Sequence, residues 1–111
     1  MGILSFLARR RAARFAARAA NEVAERSYAA VLGRVRRRAA TMRIAEARGY
    51  VRARSLEIVH RELAAVHQGK IKLDPAVQTE IISQATEAVL VRVLAELRSV
   101  PPAAKPGRHA A

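Results

Sequence analysis

No proline occurs before Pro75, and that absence decides more about this chain than any motif in it. Proline is the residue that most strongly breaks a helix, and residues 3–68 are instead dominated by Ala, Arg, Leu and Glu, all strong helix formers. The spacing predicts one long helix over about 3–68. Apolar residues recur every seven positions at Tyr28, Val35, Met42, Gly49, Leu56 and Leu63. A companion set follows three further on, at Val31, Ala45, Val59 and Val66. That is a heptad stripe, interrupted by Arg38 and Arg52. A faint echo at an offset of 28 residues keeps the same face: Val23, Arg26, Ser27 and Val31 recur as Val51, Arg54, Ser55 and Val59. Gly33 and Gly49 are the two possible breaks, but neither has a Pro, Asn or Asp beside it to make a turn.

Gln68-Gly69-Lys70 ends this helix with glycine in the expected C-terminal place. A connector over 69–74 leads to Asp74-Pro75, an N-cap followed by proline at the first helical position. The second helix, about 75–100, carries Val77, Ile81, Ile82, Ala85, Val89, Val93, Leu97 and Val100 on one broad face. Pro101-Pro102 stops it, and residues 101–111 read as a disordered tail. The expected fold is all-α: a helical hairpin forming a single domain over 1–100. Alanine supplies much of the apolar content, so one chain buries little area. Two hairpins are therefore expected to pair as a dimeric bundle around Tyr28, Val31, Val35, Met42, Leu56, Val59, Leu63, Val66, Ile82, Val89, Val93 and Leu97. Arg38 and Arg52 then mark frayed or bent places on the stripe, or meet Glu87 and Glu96 across the dimer interface.

Charge is divided unevenly. Residues 1–54 hold fourteen arginines against Glu22, Glu25 and Glu46, a formal +11, whereas residues 55–111 carry +1. A half-chain this basic is the electrostatic footprint of a protein that meets a polyanion. Arg34, Arg37, Arg48 and Arg52 cluster opposite the stripe when residues 3–68 are drawn as one helix, with Arg36, Arg43 and Arg54 flanking them. Arg9, Arg10, Arg11, Arg14 and Arg18 continue the charge toward the start. The expectation is a basic ridge matched to phosphates, competing with the reading of a merely solvated face.

Thr41–Leu63 resembles a helix-turn-helix, with Ile44, Ala45, Gly49 and Ile58 in the apolar, alanine, glycine and anchor places. Arg52, Arg54 and Arg61 would then face DNA. Arg48 and Ser55 depart from that pattern, and the uninterrupted heptad is the simpler competitor. Tyr28 and Tyr50 are candidates for stacking on bases, but Tyr28, being on the stripe, reads first as core, whereas Tyr50 is open to either role.

Chemistry finds no foothold. There is no cysteine, no glycine-rich phosphate loop, and no serine in a spacing known for nucleophilic catalysis. Glu57-x-x-His60 has the spacing of di-iron bundles but lacks the further carboxylates. No enzyme, metal or cofactor is expected. Ile3, Leu4, Phe6 and Leu7, followed by arginines, form an apolar tip with a basic collar. That tip suits either docking onto protein or the headgroup region of an anionic bilayer. No apolar run approaches the ~20 residues that span a membrane. Ile3–Leu7 is too short for a signal peptide, and Phe6 stands where a myristoylation signal has Ser or Thr. Residues 1–21 are Arg-rich and acid-free, as mitochondrial presequences are. The expected place is the cytoplasm, or the mitochondrial matrix if the source is eukaryotic. The leading expectation is a small non-enzymatic protein that binds nucleic acid with little sequence specificity. The alternative is an assembly or adaptor protein docking on an anionic membrane or an acidic protein partner.

Overall fold

A computed structural model describes residues 2–66 and 73–99. Among them the protein is all-helical, with α1 (Gly2–Ala39), α2 (Ile44–Val66) and α3 (Pro75–Ser99) and no strand. The helix expected over 3–68 is thus two helices. The break falls at neither glycine: Gly33 lies within α1 and Gly49 within α2. The helix-turn-helix alternative, which needs a turn at Gly49, goes with it.

The break at residues 40–43 is built from local hydrogen bonds. The Thr41 hydroxyl donates to the Arg38 carbonyl (3.0 Å), and the Thr41 and Met42 amides donate to the Arg38 and Ala39 carbonyls (3.2 and 3.1 Å). These satisfy carbonyls that the end of α1 leaves without helical donors. Arg36, Arg37 and Arg38 fill that last turn, where cations complement the helix dipole. Arg38 therefore stands beside a bend, as its place on the stripe suggests. On the other side, the Glu46 carboxylate accepts the Arg43 amide (3.1 Å), and the Ala47 amide donates to the Arg43 carbonyl (2.8 Å) to open α2. This is half of a capping box, with Arg43 where Ser or Thr usually stands. Met42 before the cap and buried Ala47 after it both pack into the core, in the places of a hydrophobic staple.

The four-residue link turns the chain back on itself. Arg26, far from the turn on α1, reaches Glu62, far from it on α2 (3.4 Å), so the two helices are antiparallel. The helix phase is reset across the link. A continuous heptad puts Gly49 and Leu56 inward, but the buried side of α2 is Ala47, Val51, Ser55, Ile58, Val59 and Leu63. Leu56, expected in the core, is 43% exposed. Of the other expected core residues, Val31, Val35, Val59, Leu63, Val89 and Val93 are buried. Tyr28, Met42, Val66, Ile82 and Leu97 are half-buried against them. The 28-residue echo now has a physical meaning. Val23, Ser27 and Val31 on α1, and Val51, Ser55 and Val59 on α2, are all fully buried. Ser27 and Ser55 lie at comparable distances from the turn, so two Val-x3-Ser-x3-Val seams run head to tail.

Asp74 caps α3 as expected, accepting the Ala76 amide on Oδ1 (3.3 Å) and the Gln78 amide on its carbonyl (2.9 Å). α3 packs on both other helices through Ile81, Ala85, Val89, Leu90 and Val93. Its Arg92 reaches Glu25 (3.3 Å) and lies 3.9 Å from the centroid of the Tyr28 ring. One chain's three helices therefore share a core. The connector's residues 67–72, including Gly69, and the tail expected over 101–111 lie outside the described residues.

The side-chain oxygens of Ser27, Ser55 and Thr86 are buried and have no hydrogen-bond partner among the described protein atoms. A buried hydroxyl without a partner costs about 1–3 kcal/mol, and alanine is also the better helix former. Ser55→Ala is therefore expected to raise stability by about 1 kcal/mol, seen as an upward shift in Tm of roughly 4–8 °C. A lowered Tm would mean that the hydroxyl is satisfied in the folded protein.

Candidate polyanion-binding surface

The turn gathers arginines that the sequence spreads over fifteen positions. Arg34, Arg36, Arg37 and Arg38 close α1, Arg43 sits in the link, and Arg48 lies one turn into α2. At about 1.5 Å rise per residue, α1 from Arg34 onward and α2 up to Arg48 each occupy only ~8 Å of axis beside the turn. All six arginines are exposed. Glu46 is the sole acid between Glu25 and Glu57, and its carboxylate is engaged by the backbone at the start of α2. None of the six makes an ion pair with an acid among the described residues. Exposed guanidiniums without counter-ions, held on two rigid helix ends, suit the bidentate recognition of phosphate.

The single ridge expected from the sequence is thereby divided. Arg34 and Arg37 remain together, but Arg48 and Arg52 follow on the antiparallel helix. Arg52 is engaged with Glu87 of α3 (2.7 Å) inside one chain, whereas the sequence places that meeting across a dimer interface. Arg54 is half-buried, pairs with Glu57 (3.2 Å) and lies 5.9 Å from the Tyr50 ring centroid. These two serve the bundle more than a ligand. The Arg52–Glu87 pair is about half exposed on both sides, so water and salt screen it. Glu87→Gln is expected to change the unfolding free energy by less than about 1 kcal/mol in urea titration. Both tyrosines already hold guanidiniums: Arg92 covers Tyr28, and Arg38 and Arg54 flank Tyr50. Arg38, read from the sequence as a flaw in the stripe, joins the basic cluster. Its neighbours in the run Arg36-Arg37-Arg38 were the signal for it.

Arg9, Arg10, Arg11, Arg14 and Arg18 belong to a second place. They are exposed on the first half of α1, where every residue from Gly2 to Arg14 is exposed and the core begins at Ala16. Between the two clusters α1 carries Glu22, Glu25 and Arg26, which pair with one another or with other helices. The charge of α1 is thus basic, balanced, then basic again.

Glu57 and His60 are exposed, and no group of three or more His, Cys, Asp or Glu side chains comes together among the described residues. No helix among them is long and apolar enough to cross a membrane. No protein-family model matches the sequence, and no curated protein or solved structure does so.

Proposed function

We propose that this is a small non-enzymatic protein that binds nucleic acid through the turn end of the bundle, contacting phosphates and reading little sequence. The observation that carries the reading is the gathering of Arg34, Arg36, Arg37, Arg38, Arg43 and Arg48 on one exposed end without a paired acid. A merely solvated face would mix both signs of charge. Phosphate contacts from arginine fix a protein on a duplex without carrying base information. The helix-turn-helix has no turn at Gly49, and no other base-reading motif is evident in the sequence.

Two duplexes of unrelated sequence test this by fluorescence anisotropy. Affinities within about threefold of each other are expected, because each mismatched base pair costs a sequence-reading protein ~1–3 kcal/mol. A preference of a hundredfold or more for one duplex would replace non-specific packaging with base readout. The reading includes a homodimer, in which Val91, 61% exposed, is available to a second copy. Light scattering at micromolar concentration measures that association directly.

A further inference from the structure

The first half of α1 extends beyond the core. α1 has 38 residues and its antiparallel partner α2 has 23, so about 20 Å of helix stands beyond the other two at ~1.5 Å per residue. Ile3, Leu4, Phe6 and Leu7 cap this extension and are 74%, 81%, 53% and 43% exposed. Arg9, Arg10, Arg11, Arg14 and Arg18 follow, and no acid occurs before Glu22. The Arg10 guanidinium lies 5.6 Å from the Phe6 ring centroid, so collar and tip are in contact.

We infer that this extension docks on an anionic lipid bilayer, with residues 3–7 inserted and the arginines at headgroup phosphates. The dimensions agree. Residues 3–7 span about 7 Å of helix, far short of the ~30 Å hydrocarbon core, so the tip reaches only the boundary between headgroups and acyl chains. Arg9–Arg14 then lies one to two turns further out, where long cationic side chains meet phosphate while their stems stay in apolar surroundings. The charge selects this occupant over others. A second copy docking tip to tip would bring two unpaired sets of five guanidiniums together. A nucleic acid offers phosphates for the collar but nothing apolar for Ile3 and Leu4. The surface is separate from the turn end, so this inference stands apart from nucleic-acid binding.

The test is flotation with vesicles of phosphatidylcholine alone or with about 30% phosphatidylserine, using the full chain and three variants. The intact protein is expected to float with anionic vesicles and to bind neutral ones at least tenfold more weakly. Each cation near an anionic leaflet contributes about fivefold, so R9Q/R10Q/R11Q is expected to lose about a hundredfold. L4E/F6E is expected to lose at least tenfold while keeping the thermal transition of the intact protein, because neither side chain belongs to the core. R34Q/R37Q/R48Q should float like the intact protein. No binding to anionic vesicles, or equal binding to neutral ones, would overturn the inference. So would L4E/F6E floating undiminished, which would mean adsorption by charge alone, or loss of flotation in the turn-end variant.

Discussion

Replacing Arg34, Arg37 and Arg48 together with glutamine is expected to weaken duplex DNA binding by several hundredfold at about 0.1 M salt. Each phosphate contact adds about 0.9 to the salt exponent, so three lost contacts remove ~2.7, or about 500-fold at that salt. The loss should be the same for every duplex sequence, because the contacts are to phosphate. These three are chosen because they are exposed and make no ion pair among the described residues, so their loss leaves the bundle intact. R52Q is the contrast. Arg52 is held by Glu87, and its replacement is expected to cost less than tenfold in binding. Equal losses for R52Q and the triple variant would mean that bulk charge, rather than the turn end, binds the duplex.

Leu90→Ala is expected to destabilise the fold by about 2–5 kcal/mol, a large part of the stability of a small domain. Leu90 is among the largest fully buried side chains in a core otherwise rich in valine and alanine, so its removal leaves a void that few neighbours can fill. Leu56→Ala, by contrast, should cost no more than about 1 kcal/mol, since Leu56 is 43% exposed and its loss leaves no enclosed void. Urea unfolding of the two variants reads the register of α2 directly. If Leu56→Ala costs as much as Leu90→Ala, the phase reset at the turn is wrong.

Much of the fold was legible in the sequence. Helix-forming residues without proline gave helices throughout. Asp74-Pro75 located the start of α3 because a side-chain cap and a missing amide act within three residues. Val31 and Val35 read as inward because residues four apart share one face of α1, and Val59 and Leu63 do the same on α2. The turn at residues 40–43 was missed for a definable reason. It uses Thr41 and Glu46, and the position that would complete a capping box holds Arg43. With no glycine or proline in the link, nothing in composition announced it. Once missed, the turn carried Leu56 and Gly49 to the wrong side, because a four-residue interruption changes helix phase. The 28-residue echo, weak as a sign of duplication, was the better guide to packing: its Val and Ser positions are the buried seam of both helices.

The candidate site was legible in kind but not in shape. Charge counting found the arginines and their scarcity of counter-ions, which depend on composition. It drew them as one ridge, because it drew α1 and α2 as one helix. The turn places Arg34–Arg38 beside Arg43 and Arg48, and leaves Arg9–Arg18 at the opposite end of α1 with the apolar tip. Arg52 and Arg54 went to structural pairs because Glu87 and Glu57 come within reach, and only the folded arrangement tells which arginines are engaged.

The measurement that bears most directly on the central claim is the binding constant of the intact protein for a short DNA duplex, taken from about 0.05 to 0.2 M salt. Five or six phosphate contacts from the turn end predict that log K falls linearly with log salt, with a slope of about −5. No detectable binding at the lowest salt, or a slope nearer −1, would contradict a polyanion-binding role for the turn end.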